Sequence, residues 1–272
     1  MNSDDAQLVR LMRETWNSIA VLMASLPGED WLLPTDCPGW TIKDCFAHLI
    51  GIEQRLLGNP VPKLTLSPED LIHTKNELGM ENQVDVVLRR LTPPGELIEE
   101  YGLLISERLD MLDQCDSLAS KRKAPDGRIV DGRELISIRI LDCWVHEQDI
   151  RRAIGKPGNL SGPSAIHVFG RFNRTLPFIL GKKVKIKDGR TVKFVIHGDY
   201  AETISIGSHA GRARKLQNLD NPSVGLRMNC ETYLLLCCGR ISPQRAVGSD
   251  KVEVTGDTDL GLSVLNHMSF IP

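Results

Sequence analysis

The residues of this chain best suited to chemistry are an aspartate and a histidine four positions apart, Asp142 and His146. The apolar spacing around them predicts a helix, and at positions i and i+4 both side chains leave the same face, one turn apart. A carboxylate and an imidazole arranged in this way can share one divalent cation if a third ligand comes from elsewhere. The spacing therefore predicts two ligands of a metal site.

The best supplier of the third ligand is His48, which lies in another predicted helix with an apolar flank. Two helices of a bundle then place two histidines and one carboxylate in the core, with an open coordination position. Three alternatives stay open. His48 can be an ordinary core histidine, and Arg139, three residues before Asp142, can partner the carboxylate without any metal. The same ligand set also suits the ferrous iron of a non-haem enzyme.

The composition describes a globular protein with room for two domains. The chain has 272 residues, 41% hydrophobic and 25% charged, and a domain commonly takes about 100–200 residues. A formal charge of -2 gives no electrostatic footprint for nucleic acid or an anionic membrane. No apolar run approaches the ~20 residues of a bilayer span, and residues 1–5 are acidic where a secretory signal is basic. We expect a cytoplasmic protein without nucleic-acid or membrane partners.

The seven cysteines are odd in number and contain no Cys-x-x-Cys pair. This pattern favours reduced thiols in a cytosolic protein over a disulfide framework. Cys45 and Cys143 lie beside the proposed ligand positions and offer soft sulfur ligands. Both also fall at helix-core positions, where cysteine packs as a small hydrophobic residue, and we favour that interpretation.

Four long amphipathic helices before residue 155 predict an up-and-down bundle, the architecture in which facing helices build metal sites. Two have clear start signals, because Thr41 and Asp44 form a capping box before Ile42 and Asp131 can cap the last helix. The other segments are a first helix over 5–26, a connection over 58–80, a short helix over 84–91, a helix opened by Pro93-Pro94 and a solvated basic loop at 121–123.

The segment 155–163 is rich in glycine and proline and marks the clearest domain boundary. After a helix near 164–180 the apolar period changes to the alternation of strands. Predicted strands cover 192–197, 201–206, 224–228 and 252–254, and Asn229 and Asp257 open two short helices. We therefore expect domains at 1–157 and 164–272, a helical bundle followed by a small α+β layer.

Three segments also carry a family resemblance. They are Cys37-Pro38-Gly39-Trp40-Thr41-Ile42-Lys43-Asp44 running into Ala47-His48-Leu49, Asp142-x-x-x-His146-x-x-Asp149, and Val254-Thr255-Gly256-Asp257-Thr258-Asp259-Leu260-Gly261. With these segments the chain resembles the mycothiol-dependent maleylpyruvate isomerase family over nearly its whole length. The resemblance implies a DinB-like four-helix bundle followed by a smaller, sterol-carrier-like α+β domain.

The resemblance also implies an enzyme, an isomerase or S-transferase. A divalent metal, usually zinc, is held at the positions of His48, Asp142 and His146. The metal activates mycothiol or a similar low-molecular-weight thiol toward a small electrophilic substrate. The family pattern has glutamate where this chain has Asp142. Aspartate is one methylene shorter, so the metal must lie closer to the helix or use a water bridge.

The second domain contributes one candidate catalytic residue, Arg240, which follows a helix that ends at Gly239. The resemblance extends to this Gly-Arg step, and a guanidinium there can grip a carboxylate bidentately. Arg240 can instead be a surface residue that supports the end of the helix. We expect a monomer or homodimer that meets a small-molecule substrate and a thiol. The competing hypothesis is a metal-free, two-domain protein that binds a small apolar molecule.

Overall fold

The computed structural model describes residues 1–60 and 62–270, and its contacts divide the chain into two units. The units are Met1–Gly158 and Asn159–Pro272, so their boundary falls inside the glycine- and proline-rich segment 155–163. Within the described residues, no helix has the length and apolar character needed to span a membrane.

Over residues 1–60 and 62–158 the regular elements of the first unit are helices and one small hairpin. Its elements are α1 (Ser3–Ala24), a 3₁₀ turn (Gly28–Leu32), α2 (Ile42–Leu56), α3 (Pro68–Leu71), α4 (Glu77–Arg89), α5 (Pro94–Asp113), β1 (Lys121–Lys123), β2 (Ile129–Asp131) and α6 (Gly132–Ala153). Helices α1 and α2 each pack against both α5 and α6, and α4 lies against α2. Large buried side chains fill the space between the helices, among them Trp16, Phe46, Tyr101 and Trp144. The predicted helical bundle is present.

The two helices that carry the proposed ligands begin where the sequence predicts. The Thr41 hydroxyl accepts from the backbone N–H of Asp44, and the Asp44 carboxylate accepts from the N–H of Thr41. This reciprocal pair starts α2 at Ile42. The Asp131 side chain accepts from the N–H of Glu134 at 2.8 Å and starts α6. These caps fix the first turn of each ligand-bearing helix.

The prediction of a loop at the basic run is wrong. Lys121–Lys123 is strand β1 and pairs antiparallel with Ile129–Asp131. The turn between them depends on Gly127, whose φ of 80° is in the left-handed region that favours glycine. All three basic side chains are exposed, as a solvated segment requires. The sequence did not predict this strand because three consecutive basic residues lack the apolar–polar alternation of a half-buried strand.

Helix α4 is longer than the predicted helix over 84–91 and begins at Glu77. The Asn76 side chain caps it by accepting from the N–H of Gly79 at 2.8 Å. The connection after α2 is therefore shorter than predicted, and it contains the four-residue helix α3. The helix was underestimated because Gly79 and the polar run 81–83 interrupt the apolar period of its first turns.

The second unit is an α+β layer, as predicted. Its elements are α7 (Pro163–Phe178), a π-helical turn (Ile179–Val184), β3 (Thr191–His197), β4 (Glu202–His209), β5 (Arg212–Leu216), β6 (Val224–Asn229), α8 (Cys230–Cys237), α9 (Pro243–Gly248), β7 (Val252–Gly256) and α10 (Thr258–Asn266). The strand order is β5-β4-β3-β6-β7, with β3 and β6 parallel and the other neighbours antiparallel. Alternate β3 residues Val192, Phe194 and Ile196 are buried, and α8 contacts this strand. Strand β5 and helix α9 were not predicted.

The segment before Arg240 follows the sequence prediction closely. The Asn229 side chain accepts from the N–H of Thr232 at 2.7 Å and starts α8. Gly239 has a φ of 64°, and the N–H of Arg240 donates to the carbonyl of Leu235 at 2.8 Å. This is the bond pattern of a helix closed by a left-handed glycine. Arg240 is therefore held at a defined point, just beyond the end of α8.

Candidate metal centre

The three predicted metal ligands converge in the interior of the first unit. Nε2 of His48 in α2 lies 3.3 Å from Oδ2 of Asp142 in α6. Nε2 of His146 lies 3.8 Å from Oδ1 of the same aspartate. One ligand atom from each of the three residues lies within 4.8 Å of the other two. The i, i+4 spacing in α6 and the approach of α2 together produce this cluster.

The cluster has dimensions that suit a small divalent cation. Donors about 2.1 Å from a tetrahedral metal lie about 3.4 Å from one another, close to both histidine–aspartate distances. The side chains of His48 and His146 are 3% and 7% exposed, whereas Asp142 is 27% exposed. The shorter carboxylate therefore reaches both imidazoles, and the open side of the cluster lies at Asp142.

The surroundings of His48 favour the neutral form of its imidazole. Burial lowers its pKa to about 4, and the opposing attraction of Asp142 does not restore it. At neutral pH the imidazole is uncharged, which is the form that binds metals. Its Nδ1 is buried and has no hydrogen-bond partner among the described residues. The Trp40 ring lies against both imidazoles, with its centroid 5.0 Å from that of His48 and 5.7 Å from that of His146.

The Nδ1 atom of His146 faces Asp149, which is fully buried. His146 Nδ1 lies 3.2 Å from Asp149 Oδ2, an ion-pair distance without the alignment of a hydrogen bond. The other oxygen of Asp149 accepts from Nη2 of Arg152 at 2.6 Å. Burial lowers the pKa of His146, but Asp149 and Asp142 together raise it above its ordinary value. Sequence reasoning gave Asp149 no role, although its position three residues after His146 in a helix signals this contact.

A second set of donors surrounds the same histidine. Ligand atoms of Cys37, His146 and Asp149 lie within 4.8 Å of one another. The cysteines considered from the sequence, Cys45 and Cys143, belong to neither set found in the described part of the chain. Both are fully buried, and burial raises the pKa of both thiols. They are protonated thiols packed in the core, the interpretation favoured from the sequence, although Cys143 Sγ also accepts from Arg139 at 3.3 Å.

A buried ion network lies beneath the aspartate. Arg139 donates to Asp142 through Nη1 and to Oε1 of Glu53 at 2.9 Å. Oε2 of Glu53 accepts from Nε of Arg108 at 2.9 Å. Trp16 Nε1 adds a bond to Oε1 at 3.2 Å. The predicted partnership of Arg139 with Asp142 is thus present. Asp142 is also stabilised as an anion, because His48 and Arg139 lower its pKa well below the usual value despite its desolvation.

Glu53 was missed from the sequence, where it stands one turn after Leu49 on α2. Its two guanidinium partners come from α5 and α6, 55 and 86 residues away along the chain. No local pattern joins residues at such separations. A single glutamate on a helix face that is otherwise buried was the available signal.

Arg240 lies in the second unit and is half-buried. Its Nη1 donates to the carbonyl of Cys238 at 3.2 Å, a contact with the end of α8. This contact corresponds to the supporting role weighed from the sequence. The catalytic role of Arg240 stays a prediction.

A helical bundle with a histidine–aspartate–histidine cluster, followed by an α+β layer, defines a recognisable class of two-unit proteins. Residues 12–151 match the family model described as the mycothiol maleylpyruvate isomerase N-terminal domain. The chain belongs to this family. The resemblance drawn from the sequence is therefore confirmed at the level of the family.

Individual proteins add detail at lower similarity. Two relatives from Mycobacterium tuberculosis, "Uncharacterized protein MT0041" of strain CDC 1551 / Oshkosh and "Uncharacterized protein Rv0036c" of strain H37Rv, are 24% identical over 157 residues. The match covers 56% of this chain, which spans only 58% of the length of these relatives.

Solved structures are similar over more of the chain. Crystal structures of a mycothiol-dependent maleylpyruvate isomerase and of its histidine-to-alanine mutant match with a TM-score of 0.55 and 14% identity. The match covers 94% of this chain and 96% of each solved chain. At this identity the likeness shows the fold, and it confirms the predicted fold class.

Proposed function

We propose that this chain is a metal-dependent enzyme that uses a low-molecular-weight thiol of the mycothiol type to isomerise, or transfer the thiol to, a small electrophilic substrate. The observation that carries the proposal is the convergence of His48, Asp142 and His146 at ligand distances. Membership of the mycothiol maleylpyruvate isomerase family supports the thiol and the reaction class. We propose zinc as the metal and the first unit as the metal-binding domain.

Each residue in and around the cluster has a separate proposed role. A bound divalent cation supplies a Lewis acid that lowers the pKa of a thiol and so provides a thiolate at neutral pH. His48 offers a neutral nitrogen, and Asp142 offers a full negative charge. Asp149 fixes the ring of His146, and Trp40 shields both imidazoles from water. The partial exposure of Asp142 leaves a side from which thiol and substrate can enter.

The second unit is the proposed source of substrate recognition, through Arg240. Its planar guanidinium can bind a carboxylate of substrate or cofactor with two parallel bonds, whereas lysine keeps the charge but loses this geometry. We expect Arg240→Lys to keep its metal and its melting temperature and to lose thiol-dependent turnover. Normal turnover in this variant would limit Arg240 to supporting the end of α8.

One observation favours the metal-free alternative, in which the chain binds a small molecule without catalysis. Arg139 already donates to Asp142, so the carboxylate has a partner without any cation. Elemental analysis of the purified protein, followed by an assay of maleylpyruvate with a panel of thiols, separates the two functions. Bound zinc with turnover that requires one thiol supports the enzyme. Absence of metal together with absence of turnover for every thiol supports the alternative.

The role of Asp142 has its own test. Asp142→Glu restores the residue of the family pattern and should keep the metal. Asp142→Asn removes a full charge from beside the cation and should weaken its binding. If the asparagine variant binds zinc with unchanged affinity, Asp142 only supports Arg139 or a histidine.

A further inference from the structure

A cavity of about 200 Å³ lies within the first unit, and none of the three proposed metal ligands lines it. Its apolar lining comes from α2, α5 and α6 and the segment before β1, and consists of Leu56, Met111, Leu112, Leu118, Leu135 and Ile136. A buried apolar cavity of about 150 Å³ is large enough to bind benzene. The cavity therefore has room for an apolar body of that size with one small polar group.

The charged lining of this cavity is entirely basic. It consists of Arg55, Arg108, Arg122 and Lys123, and no acidic residue joins them among the lining residues that the structure describes. Arg55 is paired with Asp85 at 2.5 Å. Arg122 and Lys123, on β1, are exposed and form no ion pair with any residue in the described ranges. An uncompensated positive potential at a concave surface attracts anions.

Arg108 is a buried charged residue in the lining of this cavity. It is 1% exposed, and its Nε donates to Glu53 at 2.9 Å. Its Nη1 lies 3.8 Å from the sulfur of Met111, another lining residue. The remaining nitrogen, Nη2, is buried without a hydrogen-bond partner among the described residues. A buried donor left without an acceptor is costly, and a small turn of the guanidinium toward the cavity would let an anionic ligand supply that acceptor.

We propose that this cavity binds a small organic carboxylate with an apolar body, at a site separate from the metal centre. The carboxylate binds among Arg108, Arg122 and Lys123, and the apolar body contacts the leucines of α5 and α6. The basic run of β1, which sequence reasoning left as a solvated segment, becomes the charged edge of this site. Arg108, Glu53 and Arg139 connect the site to Asp142 through a continuous series of ion pairs.

Calorimetric titration of the full chain with benzoate and with hexanoate tests the proposal. Metal-stripped and zinc-loaded protein should bind both acids, so the outcome does not depend on the metal. Benzyl alcohol, which has the same apolar body without the charge, should bind at least about tenfold more weakly, as a lost charge-assisted bond implies. Absence of binding by both acids at millimolar concentration, or equal binding of acid and alcohol, would overturn the proposal.

Two lysines of one strand provide a matched control. Lys123 lines the cavity and Lys121 does not, yet both are exposed residues of β1. Lys123→Gln should weaken benzoate binding about two- to fivefold, and Lys121→Gln should leave it unchanged. Equal weakening by both variants would mean diffuse attraction to a basic surface. Arg108→Lys, checked for an unchanged helical spectrum, should weaken binding about tenfold or more because the planar fork is lost.

Discussion

Replacing Glu53 by glutamine should destabilise the first unit more than any other single loss of charge in its interior. Glu53 is 0% exposed and accepts from Arg108 and Arg139 at 2.9 Å each. Among the described residues, the one ion pair left to these two buried guanidinium groups in the variant is that of Arg139 with Asp142. Removing one partner of a buried ion pair costs about 3–5 kcal/mol. For a unit of this size that corresponds to a fall in melting temperature of about 6–20 °C.

Urea unfolding followed by tryptophan fluorescence measures this loss, because all four tryptophans lie in the first unit. Trp16 donates directly to Glu53 and should report the local change as well. Glu107→Gln is the matched control, since Glu107 is an exposed residue of α5 beside Arg108. Its free energy of unfolding should stay within about 0.5 kcal/mol of the wild type. A loss below about 1 kcal/mol for Glu53→Gln would refute the network as a stabilising element.

Three further changes test individual contacts. Asp149→Asn should lower zinc affinity about 10–100-fold in equilibrium dialysis because His146 loses its anionic partner, and unchanged affinity would remove Asp149 from the site. Burial raises the pKa of Asp85 to about 6 from 3.8, so the folded state holds this proton more tightly, and the free energy of unfolding should fall by about 2 kcal/mol as pH rises from 4 to 6. Asp85→Asn should remove that fall, and an unchanged pH profile would contradict the shift. Gly39→Ala should cost about 1–2 kcal/mol of unfolding free energy, because φ is 78° and the added Cβ meets His73 Nδ1 at 2.5 Å, and a neutral effect would contradict this packing.

The parts of the structure that sequence reasoning predicted correctly depend on local rules. Capping by Thr41 and Asp131 acts over three residues, and the Asp142–His146 pair is set by one helical turn. The convergence of His48 with that pair required the bundle, which follows from long amphipathic helices. Periodicity and capping therefore predict the long helices of the bundle and the three side chains that converge between them, whereas their role as metal ligands stays a prediction.

The parts that were missed depend on contacts between distant segments or on weak patterns. Glu53, on α2, pairs with Arg108 on α5 and Arg139 on α6, and no local sequence pattern around Glu53 predicts either partner. Strand β5 is a charged edge strand without apolar alternation, so its composition does not predict a strand. It is a strand because it pairs with β4. The cavity arises from the way α2, α5, α6 and β1 meet. Such a space has no sequence pattern of its own.

We expect His48, Asp142 and His146 together to hold one divalent metal ion. The most direct measurement is the zinc content, by elemental analysis, of the wild-type chain and of His48→Ala, His146→Ala and His197→Ala. His197 is an exposed histidine at the end of β3 and controls for the loss of any imidazole. The wild type and His197→Ala should hold about one ion per chain, and the other two variants close to none, with the helical spectrum of all four unchanged. Stoichiometric zinc in both His48→Ala and His146→Ala would contradict the site.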